Sequence, residues 1–161
     1  MTNISQIGRT KPSSLGVSPF LGGLPRELLD RQRDFFVYTA DFLPLAAGAT
    51  TPFETAIQAD SDFLCIAGVR QVLTTAAPPV GVPVSLQTVQ LIDTGSGRTL
   101  SDRAVPLDNW FGTGQLPMYW PSPKLFRASS TITTTLTNLD AATAFTIRIS
   151  FLGFKIFGYR G

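Results

Sequence analysis

The chain has 161 residues, 43% of them hydrophobic and 15% charged, which is enough for one domain with its own core and too apolar for a disordered segment. Its formal net charge is +2, it has no histidine, and Cys65 is its one cysteine. That inventory excludes Ser–His and Cys–His nucleophilic mechanisms, a disulfide framework within the chain, and zinc sites built from His or several Cys.

Residues 1–34 read as an extended N-terminal arm that closes with a short helix. The arm is polar at first, then rich in Gly and Pro, and it carries four apolar anchors, Leu15, Val17, Phe20 and Leu21. An arm with anchors docks on something, either a neighbouring subunit or its own body. Pro25 suits the first turn of a helix from Pro25 to Arg33, with Glu27 and Asp30 toward its positive end. Arg9 and Lys11 are the only charges in residues 1–24, and from Phe35 onward eight Lys or Arg balance eight Asp or Glu. Useful phosphate affinity needs several neutralised phosphates, so nucleic acid is not expected as the main partner. The start, MTNISQIGRTKPSS, has no apolar signal region, and no apolar run is long enough to span a bilayer. The expectation is a chain made in a cytoplasm, with no membrane partner.

Residues 35–161 read as one antiparallel β-sandwich. Phe35 to Asp41 alternates like a strand, and 41–48 turns it. Thr51 to Ala59 follows, then a corner at Asp60-Ser-Asp62 and a long strand from Phe63 to Leu73, apolar enough to be buried on both faces. The segment 76–83, AAPPVGVP, is a loop. Val84 to Asp93 is a strand whose apolar phase switches, predicting a bulge near Gln87 or Thr88. Thr94 to Gly97 makes a tight turn into a short strand from Arg98 to Leu100. Thr-rich Ser129 to Leu139 reads as an exposed or edge strand that could pair across a dimer or trimer axis. Thr143 to Phe157 is the strongest strand, with Gly153 predicted to break its phase so that Phe154 and Ile156 turn inward. Eight segments favour a jelly roll, all-β with at most one short helix.

No catalytic residue, cofactor site or metal site emerges from this pattern. Gly95-Ser-Gly-Arg-Thr99 lacks the first glycine and the lysine of a phosphate-binding loop and fits a hairpin better. Asp60 and Asp62, with Glu54, would offer calcium too few oxygens outside a closed loop, and corner capping is the simpler role. Trp110, Phe111, Tyr119 and Trp120 could stack sugars, plug the end of the sandwich, or meet another subunit.

Several stretches resemble a group of tailed-bacteriophage virion proteins. The similar elements are an Asp-rich corner before a Phe strand (Asp60 to Phe63), a D-x-x-(G)R-x-L turn (Asp93 to Leu100), and Val105 to Leu107 leading to an FGTGQ-P loop (Phe111 to Pro117). A P-x-P-x-x-F segment (Pro121 to Phe126), an S-x-I-x-x-x-x-x-N strand (Ser130 to Asn138) and an R-x-x-F-x-G-x-K-x-F-like end (Ile147 to Phe157) complete it. The likeness spans residues 50–158 and is weaker over the first 40. It implies a non-enzymatic virion component, of the capsid cement or decoration type, with the major capsid protein or other virion proteins as partners and a homo-oligomeric state. Arg9, Lys11, Leu15, Val17, Phe20 and Leu21 of the arm, with Trp110, Phe111, Tyr119 and Trp120, are the expected partner contacts. A neck or tail protein of low copy number and a glycan-binding adhesive module are the other two readings.

Overall fold

Strands that are apolar on alternate residues need a second sheet to cover that side, and this chain supplies both sheets itself. The computed structural model describes residues 32–75, 80–81 and 86–158, without the side chains of residues 42 and 43. Nine strands form among these described residues: β1 (Arg33–Leu45), β2 (Thr50–Ala56), β3 (Asp62–Thr74), β4 (Gln87–Asp93), β5 (Arg98–Thr99), β6 (Val105–Pro106), β7 (Met118–Phe126), β8 (Thr131–Asn138) and β9 (Phe145–Ile156). One sheet has the order β1-β9-β3-β7, and the other β2-β8-β4-β5 with β6 also on β4.

The pairing is nested. β1 pairs with β9, β2 with β8, β3 with β7 and β4 with β5, all antiparallel. One long ribbon, folded at the β4–β5 hairpin, is rolled until β9 also meets β3 and β8 also meets β4. This is a jelly roll. Its core interleaves Phe63, Phe126, Ile147, Ile149 and Phe151 of the first sheet with Val89, Leu91, Ile132 and Leu136 of the second.

Local chemistry closes the turns. Asp93 accepts hydrogen bonds from the Gly95 amide (3.0 Å) and the Ser96 hydroxyl (2.6 Å), while Gly97 takes a positive φ of 67°. Buried Asn138 donates to the carbonyls of Ala46 (3.0 Å) and Thr143 (2.8 Å), tying the β1–β2 turn to the β8–β9 turn.

Several expectations need correction. β1 runs on to Leu45 through residues expected to turn, because a register shift between Ala40 and Leu43 lets it stay paired with β9. β4 begins at Gln87 and pairs with β8 in unbroken register to Asp93, so there is no bulge at Gln87 or Thr88; Val84 and Ser85 of the expected strand lie outside the described residues. β8 lies between β2 and β4 with its ladder bonded on both sides, which removes it as an edge or as a strand that pairs across a symmetry axis. β9 keeps one phase throughout. Gly153 points inward, and a Cβ there would sit 2.0 Å from the Leu64 carbonyl oxygen. Phe154 and Ile156 therefore face outward.

β7 was hidden by its prolines. It is an edge strand of the first sheet, and Trp120 to Pro123 stand opposite the single residue Ile66 where the register shifts. Pro121 and Pro123 sit in that irregular stretch, where a missing N–H costs nothing. The expected helix from Pro25 lies outside the described residues except for Gln32 and Arg33, and Arg33 already belongs to β1. A 3-10 turn at Leu107–Asn109 is the helical element among the described residues.

Candidate interaction surface

Strand alternation puts Phe63, Cys65, Phe151 and Tyr38 in the core and sends their neighbours outward. On the outward side of the β1-β9-β3-β7 sheet the registers line up two complete rows. Phe35, Phe154, Leu64 and Leu125 form one row across all four strands. Val37, Leu152, Ala67 and Tyr119 form the next. Eight apolar or aromatic side chains thus occupy a face that an antiparallel sheet ordinarily turns to water with polar residues. Phe35 is 59% exposed, Tyr119 47% and Val37 39%. Phe35 meets Phe154 edge-on at 5.9 Å. Farther along the same face, Val69, Gln71, Leu73, Thr113, Arg148 and Ser150 line a concavity of about 670 Å³.

The aromatic loop is divided between core and surface. Phe111 is fully buried and meets Phe151 edge-on at 5.4 Å; Trp120 is buried too, 6.3 Å from the same ring. The Trp120 indole N–H donates to the Trp110 carbonyl (2.9 Å), and half-buried Trp110 packs edge-on against it. Residues 110–112 can lie this close because β3 offers Gly68 beneath them: a Cβ on Gly68 would come within 2.3 Å of the Trp110 carbonyl oxygen. The Gly112 amide donates to the Gly68 carbonyl, and the Arg70 amide donates to the Gly112 carbonyl. Of the four aromatics expected to meet a partner, Tyr119 is the one that presents an exposed ring. Arg9, Lys11, Leu15, Val17, Phe20 and Leu21 lie outside the described residues.

The acidic corner is committed to the fold. Asp62 accepts the Ala128 amide (2.9 Å) and pairs with Arg127 at 3.2 Å. Asp60 pairs with Lys155 at 2.8 Å, and the hydrogen bond from that ammonium, joined by Ser61, holds the Asp60 carboxyl below the usual carboxylate range. Lys155 is itself buried at one end of the sandwich, bonded also to Gln58 and 4.5 Å from the centre of the Phe36 ring. Glu54 stands exposed on β2, in the other sheet. Asp108 engages Arg70, and Asp41 engages Arg148. Cys65 is a core residue whose thiol is pushed well up by burial. Among the described residues no helix is long and apolar enough to cross a membrane, and no three His, Cys, Asp or Glu gather as metal ligands.

Fold and surface together define a single jelly-roll sandwich with an apolar band across the outside of one sheet. No protein-family description matches the chain, and no curated protein does. Solved structures that it is similar to include the infectious bursal disease virus VP2 subviral particle, at 19% identity over 79% of this chain and 33% of that one, TM-score 0.41. Others are T=1 particles derived from the same virus, at 20% identity over 79% and 32%, TM-score 0.41, and its Gt strain, at 19% over 80% and 33%, TM-score 0.42. The chain spans about one third of the length of these matched chains.

Proposed function

We propose that this chain is a non-enzymatic structural component of a tailed-phage particle, a capsid cement or decoration protein that clamps neighbouring shell subunits. The observation that carries the reading is the two-row apolar band. Its edges are exposed, Phe35 and Val37 on β1 and Tyr119 on β7, while Leu64 and Ala67 on β3 between them are buried, and exposed apolar area on a folded domain marks a surface that another molecule covers. Burial of Val37, Tyr119 and their row against a shell subunit or a second copy would supply affinity, and many copies on a lattice would multiply it. In this reading Arg9, Lys11, Leu15, Val17, Phe20 and Leu21 extend the contact onto a neighbour, with the major capsid protein as the partner. Jelly rolls serve in shells and in sugar binding alike, so the fold alone does not decide. The site leans toward the shell. Phe111 and Trp120 are spent on the core, so of the four loop aromatics Tyr119 is exposed and Trp110 half-buried, and they do not form an open stacking platform.

Copy number tests the proposal. Quantitative mass spectrometry of purified particles should find this chain at a stoichiometry comparable with the major shell protein. A value many times lower would move it to the neck or tail. Absence from particles would discard the virion role and bring the adhesive reading forward.

A further inference from the structure

A sheet edge carries unpaired backbone groups, and natural proteins keep such edges short or interrupt them with proline and charge. Three of the four sheet edges among the described residues follow that rule. β5 and β6, which share one edge, have two residues each. β7 carries Pro121 and Pro123. On β2 the Ala49 carbonyl takes the Asn138 amide and the Ile57 amide donates to the Ser130 carbonyl. Alternate residues between Ala49 and Ile57 therefore bond β8, and Pro52 presents its missing N–H to the open side.

β1 is built differently. Among the described residues it pairs on one side, with β9, and its proline, Pro44, lies near its far end. The Phe157 amide donates to the Gln32 carbonyl, one step beyond the Arg33–Ile156 pair of the β1–β9 register. Bonded residues alternate along an antiparallel ladder, so Asp34, Phe36, Tyr38 and Ala40 bond β9. Arg33, Phe35, Val37 and Thr39 turn their amides and carbonyls the other way, toward the open side. Their side chains, and that of Asp41, are all exposed. Arg33 and Asp41, of opposite charge, stand four residues to either side of Val37 in this series, and Phe35 and Thr39 between them are uncharged.

We infer that β1 is a self-pairing edge: two copies of this chain join antiparallel about a two-fold axis at Val37, fusing their β1-β9-β3-β7 sheets into one. In this register Phe35 stands opposite the partner's Thr39, and Arg33 opposite the partner's Asp41. The three uncharged pairs exchange about six backbone hydrogen bonds, two for each bonded pair. Asp41 holds Arg148 through one oxygen at 2.8 Å, which leaves its second oxygen for the incoming guanidinium. Any other register takes Arg33 away from the opposing Asp41, so the charges that would repel a random strand select this one. The contact is the same patch on both copies and closes on itself, which stops the assembly at two. Phe35 and Val37 of both copies become neighbours, and the outer apolar band runs on across the joined sheet.

The test reads oligomeric state and register in the full chain. Sedimentation equilibrium at tens of micromolar should give a dimer for the parent. Val37→Lys sets two ammonium groups against each other on the axis and should sediment as a monomer with the parent's circular dichroism spectrum. Under copper-phenanthroline oxidation Val37→Cys should link to itself, since bonded partners lie about 5.5 Å apart between Cα atoms; Cys65 is buried and takes no part. Phe35→Cys should not link to itself, because its two copies stand about 14 Å apart, yet it should link to Thr39→Cys when the two variants are mixed. A monomeric parent, a dimeric Val37→Lys, or self-linkage of Phe35→Cys as ready as that of Val37→Cys would each overturn the inference. None of these measurements needs a phage particle, so the result is independent of the proposed function.

Discussion

Phe111→Ala removes a side chain with no solvent exposure, taken from between the Phe151 ring and the Gly68 backbone. Truncating a fully buried Phe costs about 3–5 kcal/mol, the sum of lost transfer energy and the cavity left behind. The edge-on contact with Phe151 contributes about 0.5–1.5 kcal/mol beyond area alone, which places this site toward the upper part of that range. The site cannot collapse readily, because the 110–112 backbone is pinned to β3 by the two Gly112 hydrogen bonds. For a chain of this size, roughly 2–4 °C per kcal/mol makes a 4 kcal/mol loss a fall of about 8–16 °C in Tm. Urea unfolding followed by tryptophan fluorescence reads the change directly, since Trp120 is buried next to the cavity. Tyr119→Ala, eight residues away and half exposed, should stay within about 1 kcal/mol of the parent. If Phe111→Ala costs less than about 1 kcal/mol, the loop is a detachable surface feature and the division between core and surface is wrong.

Val37→Ser with Tyr119→Ser should leave the melting curve close to the parent's and reduce binding to purified shells in a sedimentation assay; undiminished binding would remove this row from the interface. Gly153→Ala should cost about 1–3 kcal/mol in denaturant unfolding, because its Cβ would strike backbone at 2.0 Å, while Gly114→Ala, with nothing within 4 Å, should be near neutral. Asp140 accepts the amides of Ala142 (2.8 Å) and Thr143 (3.0 Å), and these bonds hold its carboxyl below the usual range. Its contribution is therefore complete above the unfolded carboxylate value, near pH 4, and is lost as pH falls through the lower folded value. Asp140→Asn should flatten stability relative to the parent as pH falls below about 4, read by urea titrations at stepped pH. Asp60→Asn should destabilise more than Lys155→Met, since the first strips a buried ammonium of its anion and the second removes the buried charge itself. The reverse order in thermal melts would contradict the role given to that pair.

Local alternation made the class of fold legible. Phe145, Ile147, Ile149 and Phe151 declare one face of β9, and the glycines after Asp93 declare its hairpin, because period and turn chemistry are carried by neighbouring residues. What alternation could not carry was the identity of the partner. β8 has the composition of an exposed strand and becomes central because both β2 and β4 close on it, which depends on residues 39 to 87 positions away. β7 is not marked as a strand by alternation, since its prolines forbid a ladder on one side only, and the chain cannot announce locally that this side faces outward. Gly153 reads as a break in phase until the β3 backbone is placed 2.0 Å from its missing Cβ. The candidate surface follows the same division. Phe35, Val37, Leu64, Tyr119, Leu125, Leu152 and Phe154 are scattered over 120 positions as ordinary strand residues, and the registers of four strands are what bring them into one band. Sequence determined which residues are apolar and with what period; the rolled pairing of distant strands decided which of them are left facing outward.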